Sequence, residues 1–163
     1  MWLADNFKQS TCLGYLAIPR ILVGYHFLNS GWPKAFGGRF LGGSGLAAQL
    51  LAGAPEDPIA LHREFILGFV VPHAHFFSYL VAFGEVAIGI SLVLGCLVRI
   101  SSAFGAFHNL NIYLAMAIPG GGASVGLNRI FIALHLVFVA ASAGRALGLD
   151  AILHRWFPRS RLF

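Results

Sequence analysis

Phe76 to Val98 reads FFSYLVAFGEVAIGISLVLGCLV, an apolar run broken by a single acid, Glu85. A bilayer core of roughly 30 Å takes about 20 helical residues per crossing, because backbone groups find no water there and must bond within the helix. The run has that length and is expected to be a membrane helix. Three further stretches match it, at residues 12–30, 100–118 and 127–147. Punctuation separates them: Gly31-Trp32-Pro33-Lys34, then Arg99, then Pro119-Gly120-Gly121-Gly122, then the basic tail from Arg145 to Arg161. The expected fold is all-α, a four-helix transmembrane bundle in which residues 1–163 form one integral membrane domain.

Composition agrees with that reading. The chain is 58% hydrophobic and 10% charged, whereas a soluble domain carries about 25% charged residues. With 11 Lys+Arg and 6 Asp+Glu there are too few charges to coat a globule in water. The net charge of +5 does not point to nucleic acid, because the cations flank apolar runs instead of forming a basic face interleaved with aromatics. Cys12 and Cys96 show no Cys-x-x-Cys spacing, so no disulfide framework, zinc knuckle or thiol redox loop is legible. The first apolar stretch is too long for a signal h-region and is expected to stay as an anchor.

About 45 residues join the first two helices, where links of 2–8 are usual. Within them Leu46 to Leu51 and Ile59 to Val71 are apolar but short, broken by Pro55, Pro58 and Pro72. They are expected to be interfacial helices on one mouth of the bundle, with a re-entrant segment as the rival. His62, His73 and His75 of this loop are expected to be solvated. Lys8, Arg99, Arg145, Arg155, Arg159 and Arg161 gather on one side, against Lys34, Arg39, Arg63 and Arg129 diluted by Glu56, Asp57 and Glu64 on the other. The positive-inside rule then puts both termini in the cytoplasm and the long loop outside, in a bacterial- or archaeal-type cytoplasmic membrane crossed several times. Trp2, Trp32 and Trp156 suit interfacial anchors, and the tail from Leu153 suits anionic headgroups.

The chemistry lies in what interrupts the apolar runs. Arg20, Glu85, His108 and His135 each sit roughly 10–15 Å into their helix at 1.5 Å per residue, so they could converge on one level. A charge facing lipid costs about 2.5–3.5 kcal/mol even on lenient scales, which favours the interior. Helical spacing puts Ser78, Ala82, Glu85, Gly89 and Cys96 on one stripe, and Ser101, Gly105 and His108 on another, flanked by Asn109 and Asn111. Asn128, His135 and Ser142 form a polar seam on the last helix, and Arg20, Gly24, Phe27 and Gly31 a stripe on the first. The expected contact is an Arg20–Glu85 ion pair, with histidines and asparagines completing its hydrogen bonds. It would serve either as a clasp that sets helix register or as part of a ligand or proton site. His26 lies about 120° round from Arg20 and reads first as an interfacial residue, then as a ligand contact. No helix offers an i, i+3 or i, i+4 ligand pair, so no metal site is expected. Gly120 to Gly122 lack a following Gly-Lys-Ser/Thr and make a turn, not a phosphate loop.

Two strings carry a family resemblance: Arg20-Ile21-x-x-Gly24-x-x-Phe27-x-x-x-Gly31-x-x-Lys34, and Glu85-x-x-x-Gly89-x-x-Leu92-x-Leu94-Gly95-x-x-x-Arg99. Both resemble the DoxX/DoxD family of small four-helix membrane proteins, in which Arg20 and Glu85 fall on characteristic charged positions. DoxD is the large subunit of a thiosulfate:quinone oxidoreductase and works with DoxA; other relatives are linked to redox-stress complexes. No DoxA-like portion is recognisable here. The resemblance implies a quinone-linked redox subunit, with sulfur-compound oxidation as one form of it. In that reading Arg20 polarises a carbonyl or binds an anion, Glu85 orients it and relays protons, and His108 and His135 exchange protons with the quinone. Asn109, Asn111, Asn128 and His26 are the further cofactor contacts. No haem, flavin or cluster motif is present, so electrons would come from a membrane or peripheral partner or directly from substrate. The alternative is a non-catalytic accessory that stabilises a larger membrane complex. A transporter fits less well, for want of inverted repeats or broken helices.

Overall fold

A computed structural model describes residues 13–160 and 162. Trp2, Lys8, Cys12 and Arg161, which enter the anchor and orientation expectations, lie outside the described residues. Among those described there are helices and no strand. A 3-10 turn, Leu13–Leu16, leads into α1 (Ala17–Phe36). The long connection holds α2 (Ser44–Gly53) and α3 (Ala60–Phe65), the latter widening into a π turn at Ile66–Val70. Next come α4 (Ala74–Leu94) and α5 (Val98–Ile112), which continues through a π turn, Tyr113–Ala117, to a last turn, Ile118–Gly120. α6 (Ala123–Ala141) and the short α7 (Asp150–Trp156) complete the chain.

The four long helices stand at the expected places, but their ends move. α1 runs past residue 30 and through Pro33, because a proline three residues from the end removes one intrahelical bond only, and the Gly37 N–H closes the helix on the Pro33 carbonyl at 2.8 Å. α4 stops at Leu94, where Gly95 takes φ +67° and lets the chain turn. α6 ends at Ala141, short of 147, because Ser142 adopts a left-handed φ of 50°. α4 and α6 are long and apolar enough to cross a membrane. Phe76, Leu80, Phe104, Phe107, Ile130 and Leu136 are all exposed on the flanks, a shell suited to lipid more than to water.

Small residues decide how the helices pair. A methyl on Gly24 would stand 2.9 Å from Leu92 Cβ, and one on Gly31 would stand 2.8 Å from Glu85 Cβ, so only glycine lets α1 lie this close to α4. α5 and α6 meet where Gly105 leaves room for the His135 ring. α1 and α6, by contrast, touch sparsely. Val23, Phe27, Ile88, Leu92, Phe131 and Phe138 fill the centre.

Each end of the bundle is closed differently. At the loop end α2 and the π turn after α3 bury Leu46, Leu50, Ile66 and Val70 against Ala115 in the π turn of α5, so the two short helices cover that end of the bundle. At the turn end Asp150 accepts hydrogen bonds from the Leu97 and Val98 N–H groups (2.7 and 3.0 Å), capping α5. Burial and the Asp150 carboxylate push the Cys96 thiol up, which favours its protonated form.

Candidate functional site

Glu85 sits midway along α4 on the buried stripe that Ser78, Ala82 and Gly89 extend, and it is 3% exposed. Because α1 continues past Gly31, Lys34 reaches back along it. Its Nζ donates to Glu85 Oε1 and Oε2 at 2.6 and 2.7 Å and to Ser30 Oγ at 3.1 Å. From α5, His108 Nε2 lies 3.0 Å from Glu85 Oε1. An ionised carboxylate only accepts, so Nε2 carries a proton, and in the neutral form of the ring Nδ1 keeps a lone pair. Lysine neutralises the acid, the acid fixes the imidazole tautomer, and the imidazole is left able to take a proton.

The group borders a cavity of about 140 Å³. Ser30, Glu85, His108, Asn109 and Asn128 supply its polar wall, and Phe27, Ile112, Leu127 and Phe131 its apolar one, with His26 at the edge. His26 and Leu127 are both exposed, so the cavity opens sideways along the loosely packed α1–α6 seam. His26 leans on Phe131 at 4.6 Å between ring centres.

Several expectations are corrected here. Arg20 does not pair with Glu85, and the four ionisable residues do not share one level. Arg20 is fully buried at the turn end, where Nη1 donates to the Ala143 carbonyl at 3.1 Å and Gly95 and Gly148 crowd its guanidinium. The reason is register: α1 and α4 run antiparallel, so Gly31, not Arg20, is the α1 residue opposite Glu85. His135 is fully buried between Gly105, Phe27 and Phe138, and both ring nitrogens lack a partner among the described residues. It belongs to the packing below the cavity and does not line it.

Asn111 also falls outside the cavity. Its Oδ1 accepts from His62 Nε2 at 3.0 Å, and its Nδ2 donates to the Phe107 carbonyl at 2.7 Å. His62 is therefore not a solvated loop residue, since its Nδ1 also contacts the buried Asp57 carboxylate and ties the loop to α5. His73 and His75 are exposed as expected. Lys34 closes the first family string but was not among the expected site residues, because it stood in assumed punctuation; its place seven residues after Phe27 and three after Gly31, on one helical stripe, was the available signal. Among the described residues no group of His, Cys, Asp or Glu could hold a metal.

Comparison with known proteins gives one kind of match. No curated protein and no solved structure matches the chain. The family model described as DoxX matches residues 15–118, which spans α1 to α5 and includes Lys34, Glu85 and His108. That match takes in more than half of the sequence and every charged member of the site. The chain therefore belongs to the DoxX family, whose members are typically integral membrane proteins.

Proposed function

We propose that the chain is a four-pass membrane subunit that handles a lipid-borne quinone at the cavity beside Lys34, Glu85 and His108. The carrying observation is the Lys34–Glu85–His108 chain itself, a charge-compensated acid holding an imidazole at the wall of a laterally open, half-apolar cavity. Conversion between quinone and quinol moves two electrons and two protons. His108 Nδ1 takes one of the two protons from a quinol hydroxyl, or in its charged form returns one, Glu85 stabilises the imidazolium, and the second proton exchanges with water that reaches the open side of the cavity. Lys34 keeps Glu85 ionised in both states. The electrons pass to or from a redox partner, membrane-bound or peripheral, with a sulfur compound as one ultimate donor. Arg20, His135 and Asn111 take no part in this step.

The test is purification of the full chain in mild detergent, extraction and mass spectrometry of bound quinone, then the same measurement on His108→Ala and Glu85→Gln. Co-purified quinone that both substitutions deplete, in protein that stays folded and assembled, supports the reading. Quinone content equal to that of an unrelated membrane protein of similar size overturns it, and leaves an accessory subunit as the surviving assignment.

A further inference from the structure

Outside the cavity, a chain of three side chains ties the long loop to α5: Asp57, His62 and Asn111. Asp57 is 1% exposed, and its Oδ1 accepts from the Ile59 N–H at 2.8 Å in a tight turn over Pro58. Its Oδ2 is left to His62 Nδ1, on α3. The other ring nitrogen, Nε2, lies 3.0 Å from Asn111 Oδ1 on α5. The Asn111 amide is fixed in that sense, because Nδ2 donates to the Phe107 carbonyl at 2.7 Å and an oxygen put there would face another oxygen. Both imidazole nitrogens therefore meet oxygen acceptors, and each contact needs a proton.

A carboxylate and a neutral imidazole carry one proton between them, whereas two are needed here. The second is present whether it sits on His62, as an imidazolium facing a carboxylate, or on Asp57, as an acid facing a neutral ring protonated at Nε2. If it leaves, a lone pair meets a lone pair at one contact. The buried Asp57 carboxylate keeps the remaining proton on Nδ1, so the Nε2–Asn111 contact is the one that fails. Charged and titratable groups on the neighbouring elements do not replace it. Glu56 and Glu64 are exposed, and Arg63 donates to the Asp57 backbone carbonyl at 3.1 Å. On α5 His108 is turned to Glu85, and Tyr113 accepts from Arg129 at 2.9 Å. Among the described residues, His62 is the cationic partner within ion-pair reach of Asp57.

We propose that Asp57, His62 and Asn111 form a proton-dependent latch, which clasps α3 to α5 while it holds its second proton and releases the segment from Asp57 to Phe65 when alkaline pH removes it. The closed state binds one proton more than the open state, so raising the pH favours opening. α2 stays in place, packed through Leu46 and Leu50 against Ala115. The latch stands independently of what the cavity binds.

Hydrogen exchange of the full chain in lipid nanodiscs, followed by mass spectrometry at about pH 6 and about pH 9 and divided by the intrinsic rate at each pH, reads the opening of residues 57–65. Protection of that segment is expected to fall at least about tenfold between the two, the equilibrium effect of one charge-assisted hydrogen bond, while α4 keeps its protection. Asn111→Leu should lose the protection already at the lower pH. Asn111→Asp, which offers Nε2 a carboxylate, should keep it to higher pH than the original chain. With His62→Gln the protection should no longer vary with pH. Segment protection that is equal at both pH values, absent at the lower one, or lost equally from every helix overturns the latch, as does an alkaline loss that survives His62→Gln. Because the first comparison is made on the unsubstituted chain, a variant that misfolds does not remove the test.

Discussion

Lys34 and Glu85 show how an ion pair near the middle of an apolar bundle constrains single residues. Glu85 is almost wholly buried while Lys34 is 28% exposed, so removing the lysine strands a buried carboxylate, whereas removing the acid leaves a lysine that can reach outward. Lys34→Met is accordingly expected to destabilise the protein by about 1–3 kcal/mol, part of the full buried-pair cost being screened at the exposed end. Lys34→Met combined with Glu85→Gln should recover much of that loss. Thermal unfolding in detergent across the double-mutant cycle checks it, and strictly additive effects would contradict the pairing. Arg20 makes the opposite case. Arg20→Met should cost about 1–3 kcal/mol by removing a buried charged hydrogen bond to the Ala143 carbonyl, which then keeps only the Ala146 N–H, yet leave the amount of co-purified quinone at its original value. A loss of quinone in a stably folded Arg20→Met protein would return Arg20 to the site. The sequence singled out Arg20 and Glu85 correctly as buried, since charge in an apolar helix must turn inward. Their partners were illegible, because depth within a helix does not fix the register between two antiparallel helices.

Helix by helix, glycine placement carries more of the architecture than the apolar residues do. Gly24 and Gly31 on α1, with Gly89 on α4, form the surface on which those two helices meet, and the Gly31 contact positions Glu85 within reach of Lys34. Gly31→Ala forces a methyl to 2.8 Å from Glu85 Cβ, and α1 must move away. The expected loss is about 1–3 kcal/mol, read from the unfolding midpoint, together with less co-purified quinone as the cavity wall shifts. Unchanged stability would mean that the two helices do not sit this close. At this scale the small-residue stripes were readable in advance, as were the two short helices of the long loop. Helix ends were not. The extension of α1 through Pro33 and the early stop of α6 at Ser142 depend on caps and on neighbours, which periodicity does not register.

For the molecule as a whole, the arrangement is two close-packed pairs, α1 with α4 and α5 with α6, leaving a sparse seam that opens the cavity sideways. If the bundle spans the bilayer four times with both termini in the cytoplasm, Glu64 and Ser160 lie on opposite sides. In intact cells expressing a chain whose Cys12 and Cys96 are serine, Glu64→Cys should react with a membrane-impermeant maleimide, and Ser160→Cys should react only after permeabilisation. Labelling of both in intact cells, or the reverse pattern, contradicts that topology. Apolar length, scarcity of charge and the spacing of small residues were enough to specify an all-helical chain with an apolar outer shell and its few charged helix residues turned inward, since each of these is a property of one helix in its solvent. Which polar groups meet was a matter for the assembled bundle alone. Lys34 and His108 converge on Glu85, and Arg20, His135 and Asn111 are diverted to other contacts, because the vertical offset between neighbouring helices is set by glycine contacts that no single helix contains.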